Sequence, residues 1–556
     1  MRGMYCLLIC LLVSCDGGFQ EIDQRVDAMM ARTSAGMNAD QPALQAEDLD
    51  APSKSIVDPT PKTVNPQVNS LSYISAGDFD VEGVAGSLDR AAEELEASSV
   101  VLTLQDTLLW SSTHAREMRF AEYDYLSSTL SLLSELHLWG PRFFNTVSAD
   151  VDADSTNGSY VTSLTVVNDF NMTHQLPSGG SVSASALTTI ARSLHNVATS
   201  DESAGSTLDI AIEIPLLKGS GAVARESLIQ AKRNLVYAAR SYERFRRVFF
   251  REIVGDYLGL VVQKKSLENA QRGVDSLRQL ARRQAALYEA GRTRFYDSAD
   301  AENQALGAVA NLSQSWERYR LSLDRFKIRI GWPVKDQVQV EPSPIGLFPP
   351  TVDAARSIAD ALVYRLDLQN ERDHVEDVRR GVLNTMDALL PNVTLTAGAS
   401  MGSNSDKTAK FNGEEIDYLA GLSVSLPLDR EVERIAVRSQ QIALERARRS
   451  YRESRDSVAV AVRSALRNIE VFQFSLDLQE RNVQIARVGL DSINADPDRV
   501  SVLDQTRAIS DLQSAKDARD SAAKDLELSI VDYLLQAGQL RINDGGGLLL
   551  PLSNPE

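Results

Sequence analysis

The sequence predicts an α+β chain built from two tandem copies of one elongated unit, each running strand, strand, long helix, tip, returning helix. Three observations carry that reading. Two pairs of segments alternate apolar and polar residues with a period of two, as a strand with one apolar face does. Each pair is followed by a long stretch nearly free of proline, in which apolar residues recur seven apart; such heptads belong to long helices packed as coiled coils. The whole succession then occurs a second time.

The elements follow in chain order. Arg2 precedes an apolar run from Met4 to Val13, too short to cross a bilayer as a helix. Leu12-Val13-Ser14-Cys15 closes it, and the layout fits an export signal. These four residues resemble the lipobox of bacterial lipoproteins. The resemblance implies that residues 1–15 are a signal segment and that Cys15 is lipidated, holding the chain on outer-membrane lipid. Asp16 follows the cysteine, a choice that tends to retain lipoproteins on the inner membrane of enterobacteria. Residues 16–80 mix Ala, Ser, Asp, Pro and Thr without a sustained period and read as a disordered tether.

The first copy of the unit is assigned to residues 81–340 and the second to 341–540. In the first, Val147, Ala149, Val151 and Ala153 alternate with Ser148, Asp150, Asp152 and Asp154, and Leu208 to Ile214 ends at Pro215. In the second, the run Val393 to Met401 is partnered by Leu422 to Leu426, ending at Pro427. By pattern alone such strands suit equally a half-buried sheet or a membrane barrel. Leu235, Tyr242 and Phe249 fall seven apart, as do Ile469, Leu476, Val483 and Leu490. A helix from Pro215 to Gly291 would be on the order of 110 Å long. The chain turns near Gly291 and again near Asn494–Asp498. The second arm is shorter than the first by roughly a heptad, which requires a bulge, a loop or a different helix break. Residues 160–198 contain Leu176-Pro-Ser-Gly-Gly-Ser and read as a hairpin, either extending the strands or forming a loop at the cell surface. Residues 541–556 read as a flexible tail.

Over about residues 100–540 the chain resembles the TolC-like outer-membrane efflux proteins. Leu136-His-Leu-Trp-Gly-Pro-Arg-Phe-Phe144 resembles the entry to that family's first barrel strand, and Ile214-Pro-Leu-Leu-Lys-Gly-Ser-Gly-Ala-Val-Ala-Arg-Glu-Ser-Leu228 its strand-to-helix passage. Ala361-Leu-Val-Tyr-Arg-Leu-Asp-Leu368 and Ala388-Leu-Leu-Pro-Asn-Val393 resemble the equivalents in the second half. The resemblance implies a homotrimer in which each chain gives four strands to one 12-stranded barrel, continued by a helical coiled-coil barrel through the periplasm. It implies partners as well: a periplasmic adaptor protein and an inner-membrane pump. It implies a gate at the tips, where Tyr288, Gly291, Thr293, Tyr296 and Asp297 match the family pattern and Val502-Leu503-Asp504 matches it in part. Ser501 stands where an aspartate is common, so a trimer would lose three carboxylates at that level. A carboxylate aimed into a narrow pore favours cations. The simpler role for Asp297 and Asp504 is that of a residue capping a helix start.

Composition excludes several classes. The 76 acidic against 58 basic side chains leave a net charge of −18 in 556 residues, the wrong sign for a nucleic-acid binder. All three cysteines, Cys6, Cys10 and Cys15, lie in the opening segment, and the five histidines show no ligand spacing. Neither a cofactor nor a catalytic constellation is expected, and an enzyme is the least favoured class. Arg240, Arg244, Arg247 and Arg251 share a helix face and read as a solvated surface paired with nearby glutamates. Two alternatives stand beside the efflux channel: the channel of a type I protein secretion system, and a non-conducting periplasmic coiled-coil lipoprotein.

Overall fold

A computed structural model describes residues 16–35, 100–156, 159–193, 202–342, 349–350, 353–403, 411–495, 500–542 and 548–549. The chain divides into two compact units. One takes its described parts from the N-terminal helix and from residues 124–240 and 370–454, the other from residues 100–123, 241–369 and 455–549.

The first unit is organised by one antiparallel sheet of six strands: β2 (Arg142–Thr156), β3 (Ser159–Gln175), β4 (Ser181–Ser193), β5 (Glu202–Pro215), β7 (Asn392–Ser403) and β8 (Phe411–Ser425), hydrogen-bonded in that order. The expected four strands per chain are therefore corrected to six. The hairpin at residues 160–198 supplies the extra two, β3 and β4, inserted between the strands that sequence alone had paired. Its turn closes through Leu176 N–H to Gly180 O at 2.7 Å, with Gly179 at φ +99°, a conformation open to glycine but costly to residues with a Cβ. Register then decides the faces. Val151 pairs with Leu164, Phe170 with Ala186, Ala186 with Leu208, Leu208 with Met401, and Met401 with Ile416. Directly paired residues share a face, so a single apolar surface runs across all six strands.

Helices continue from the sheet's strands. The 64-residue α4 (Glu226–Glu289) follows β5, and the 65-residue α8 (Glu431–Ala495) follows β8. The two arms are thus equal in helix. Their sequence difference lies before them: residues 216–225 separate Pro215 from α4, whereas only residues 428–430 separate Pro427 from α8. Of the three devices the heptad offset allowed, the loop is the one used. It is held by Gly219 N–H donating to Asp387 Oδ2 at 2.6 Å and by Gly221 N–H donating to Ser178 O at 3.0 Å. The second contact ties the inserted hairpin's turn to this loop.

In the second unit the duplication is plain. Helices α2 (Leu104–His114) and α3 (Arg116–Leu138) break at Ala115; α6 (Ala354–Tyr364) and α7 (Leu366–Asp387) break at Arg365. The returning helices α5 (Phe295–Ile330) and α9 (Val502–Gln536) end at Gly331 and Gly538, at φ +75° and +73°. Each glycine abuts the corresponding break. A Cβ on Gly331 would lie 2.2 Å from the His114 carbonyl oxygen, and one on Gly538 would lie 3.0 Å from the Tyr364 carbonyl carbon. Short strands β1 (Val100–Leu102) and β6 (Val338–Val340), which lead into the two copies, pair in parallel. Tyr257 of α4 joins both, donating to Glu341 O at 2.7 Å with Leu102 O at 2.9 Å; burial pushes its hydroxyl pKa up to about 12.

Two boundary expectations change. Residues 16–35 form helix α1 (Asp16–Ala35) rather than unstructured tether: Val26 and Met30 are fully buried, and the Tyr125 hydroxyl reaches Met30 O at 3.5 Å. The tail begins with strand β9 (Arg541–Ile542) paired to β10 (Leu548–Leu549). The proposed lipidation site Cys15 and the rest of the tether lie outside the described residues.

Candidate functional site: the polar sheet face and the helical tips

The sheet's second face is built from the alternate residues of the same six strands. Asp150 pairs with Thr165 and Thr165 with Ala191; Asn171 pairs with Ser185, Ser185 with Asp209, Asp209 with Ser400, and Ser400 with Asp417. Small polar side chains dominate. Asp150, Asp152, Asp169, Asp209, Glu213, Glu415 and Asp417 share this parity, against the single cation Arg142 at the entry of β2. Such a face suits water, while the opposite face carries Val147 and Val151, each 64% exposed, and Tyr418, 79% exposed. Alternation of this kind fits lipid on one side and an aqueous lumen on the other. Sequence reading found this alternation in β2, β5, β7 and β8, but not in β3 and β4, where Asn168 interrupts the apolar set.

The first tip joins α4 to α5. Its helix ends in a left-handed cap: Gly291 stands at φ +70°, its N–H reaches Tyr288 O at 2.9 Å, and Arg292 N–H reaches Leu287 O at 2.8 Å. Asp297 occupies the third position of α5, where it accepts a 3.3 Å hydrogen bond from Thr293 Oγ1. A carboxylate there also meets the positive end of the helix. Tyr288 packs edge-on to Phe295 at 5.6 Å between centroids, and Tyr296 is exposed.

The second tip is capped by different chemistry. Ser501 is the N-cap of α9: its Oγ accepts from Asp504 N–H at 3.2 Å and lies 2.6 Å from Asp504 Oδ2. Asp504 is again the third helical residue, so both aspartates hold the same place in their copies. The preceding residues 496–499 lie outside the described set. Both tips share a small apolar cluster in which Leu280, Ala301 and Val502 meet.

Three tip residues were not singled out from sequence. Phe295, Arg292 and Arg294 are exposed, and both arginines flank the acidic position. Their signal is the contiguous run Gly291-Arg-Thr-Arg-Phe-Tyr-Asp297, in which two arginines precede the aspartate. The arginine face of α4 is paired, mostly with aspartates of other helices rather than with glutamates: Arg240–Asp373 at 2.7 Å, Arg244–Asp367 at 3.1 Å and Arg251–Asp532 at 2.5 Å, with Arg247–Glu243 at 2.8 Å within the helix. Among the described residues no group of metal-ligating side chains gathers, and no helix is long and apolar enough to cross a membrane.

Comparisons with known proteins fit this geometry. The family model of outer membrane efflux proteins matches residues 357–529. No curated protein matches in sequence. Among solved structures, the outer-membrane channel OprN aligns at 15% identity and TM-score 0.59, covering 78% of this chain and 90% of its own. The CmeC outer membrane channel of Campylobacter jejuni aligns at 15% and 0.60 over 78% and 85%, and CusC at 10% and 0.61 over 78% and 91%. OprN and CmeC are outer-membrane channels, and CusC forms a transmembrane channel. In the sequence of its second half, and in fold over 78% of its length, the chain resembles the TolC-like outer-membrane efflux proteins.

Proposed function

We propose that the chain is one subunit of a homotrimeric outer-membrane efflux channel, a passive conduit fed by a periplasmic adaptor and an inner-membrane pump. The observation that carries this reading is the open six-stranded sheet, apolar on one face and polar on the other, in which β2 and β8 are edge strands. An open sheet cannot stand in lipid, because its edge N–H and C=O groups have no water to satisfy them. Only closure by further copies removes both edges. Helix α8 supports the same assembly. Val432, Ile435, Ile442, Val460, Phe474 and Ile485 are each more than half exposed along it, a stripe that a neighbouring copy would cover.

In this reading Cys15 carries the lipid anchor. Tyr288, Gly291, Thr293, Tyr296, Asp297, Ser501 and Asp504 form the periplasmic gate, and the carboxylates of the sheet's polar face line the lumen and favour cations. No bond is made or broken; the pump supplies the energy. Planar-bilayer conductance of the purified trimer tests it, with Asp504→Ala to loosen the tip. Current that rises several-fold in the variant is expected. A trimer that conducts in neither form overturns the channel reading. Loss of lipid labelling in Cys15→Ala tests the anchor separately.

A further inference from the structure

We infer that the inserted hairpin β3–β4 is a structural part of the membrane wall, so that the trimer closes an 18-stranded barrel whose outer stage admits bulky hydrated solutes. The inference rests on the trimeric outer-membrane reading above. Three observations carry it. First, the hairpin is bonded on both sides and separates its neighbours: β3 pairs with β2 from Ser159 to Thr173, β4 pairs with β5 from Ser181 to Arg192, and β2 and β5 are not neighbours in the sheet. A surface loop would leave β2 and β5 paired to each other. Second, the hairpin continues both faces of the sheet. Leu164, Val166, Phe170, Ala186 and Ile190 lie on the apolar side, in register with Val151 and Leu208, while Thr165 and Ser185 lie on the polar side with Asp150 and Asp209. Third, the hairpin has membrane length and the right polarity. Its strands have 17 and 13 residues, against the roughly 9–11 that cross a bilayer. Its turn is fixed at the end of the sheet from which the helices leave, through Gly221 N–H to Ser178 O.

Two strands, and not one or three, can be inserted without reversing β5, because each crossing flips direction. Three chains of six strands then give eighteen. At equal strand tilt, barrel diameter grows roughly in proportion to strand number. Eighteen strands therefore enclose about 1.5 times the diameter, and just over twice the cross-section, of twelve. Barrels of 16–18 strands leave an open aqueous channel. Selection by size then falls to the helical tips, and the outer stage passes whatever they admit.

Cysteine scanning of the reconstituted full-length trimer tests the wall directly. A membrane-impermeant thiol reagent is expected to label Thr165→Cys and Ser185→Cys while sparing Val166→Cys and Ile190→Cys, with a lipophilic reagent reversing the pattern. Equal aqueous labelling of all four places the hairpin outside the membrane and overturns the inference. Electron microscopy of the same trimer counts the strands: eighteen are expected, and twelve overturn it. Excision of residues 157–193, joining Thr156 to Leu194, leaves β2 and β5 free to pair. In bilayers, the radius of the largest polyethylene glycol entering from the outer face should then fall to about two-thirds; an unchanged limit also counts against the inference. A trimer in the outer membrane with twelve strands sinks this inference alone. A chain that neither trimerises nor reaches that membrane sinks the channel reading, and this inference with it.

Discussion

Helices α4 and α8 are equivalent in the duplication and differ by one residue in length, yet their surroundings diverge. Along α4, Ile253, Val254 and Tyr257 are fully buried, with Phe249, Leu258 and Leu260 close behind. Along α8 the buried set is short, chiefly Val458, Val462 and Ile469, and Phe474, Ile485 and Val488 are each about two-thirds exposed or more. Copies of one unit should want the same partners. The difference teaches that α4 finds its partners within the chain while α8 leaves an apolar stripe exposed, which in the proposed trimer a neighbouring copy covers through a heterologous ring contact.

The sharpest way to break that comparison is to place a charge on each helix. Ile253→Asp buries an unpaired carboxylate in a dry core, at a cost of several kcal/mol, and should leave no cooperatively folded chain in a thermal melt. Phe474→Asp should leave the isolated chain's melting within about 0.5 kcal/mol of the parent, as surface changes do, and abolish the trimer in sedimentation. If Phe474→Asp leaves the trimer intact, its face meets solvent and the comparison fails.

A second asymmetry is electrostatic. On the sheet side, α4 is clamped to α7 through Asp377, which accepts from the Tyr237 hydroxyl at 2.5 Å and pairs with Arg233 and, at 2.9 Å, with Arg380. Burial alone would raise the Asp377 carboxyl, but the tyrosine hydroxyl and the two guanidiniums more than offset it and hold its pKa below 3.8. A depressed carboxylate stabilises fully above its unfolded pKa, and that contribution is lost as pH falls through the folded value. Asp377→Asn removes the carboxylate from the half-buried Arg233, while Arg380 keeps Glu226, and should cost about 1.5 kcal/mol at pH 7. The gap between variant and parent melting curves should close as the pH drops below 3.8. A gap independent of pH would show that Asp377 acts by shape and not by charge.

The glycines that end α5 and α9 compare the two copies more closely. Gly331→Ala and Gly538→Ala both force a Cβ onto a left-handed residue, at about 1–2 kcal/mol. At Gly331 the new atom also meets a backbone oxygen at 2.2 Å, whereas at Gly538 the nearest atom is 3.0 Å away. Urea unfolding should therefore rank Gly331→Ala as the more damaging by about 1 kcal/mol or more. An equal or reversed ranking would mean that the first break shifts freely.

Much of this was legible in the sequence, and the failures have physical causes. Period-two alternation exposed β2, β5, β7 and β8 because each has a clean polar face. It is blurred in β3, whose apolar face includes Asn168 and whose polar face includes Val167. Residues 160–198 read as a hairpin from their Gly-Gly turn, but sequence left open whether it joins the sheet, and the family resemblance implied four strands where there are six. Heptads locate the long helices, but spacing measured from prolines makes the arms look unequal, since the passage of residues 216–225 into α4 is seven residues longer than that of residues 428–430 into α8. Composition reads α1 as tether, whereas Val26 and Met30, four apart, are buried once the chain folds and the Tyr125 hydroxyl reaches Met30 O. At the tips, Gly291 announced its cap, and the aspartate positions were found in both copies. What sequence could not supply was the bond each aspartate makes.

Those bonds give the smallest and most local difference. Asp504 works with Ser501 in a reciprocal cap: the serine hydroxyl donates to the carboxylate at 2.6 Å and its oxygen accepts from the Asp504 N–H, which also reaches Ser501 O at 3.1 Å. The Asp297 carboxylate accepts from the Thr293 hydroxyl at 3.3 Å, and Arg294, the N-cap of α5, offers no side-chain cap. Ser501→Ala should therefore cost about 1 kcal/mol at the start of α9, and Thr293→Ala less than about 0.5 at the start of α5. Hydrogen exchange reads both. Amides of residues 502–505 should exchange about fivefold faster in Ser501→Ala, while those of residues 295–298 change little in Thr293→Ala. If the tips form the gate, the first variant should also raise bilayer current at rest and the second should not. Equal exchange in both would mean that the serine supplies no more hold than the threonine, and the two tips would then start their returning helices alike.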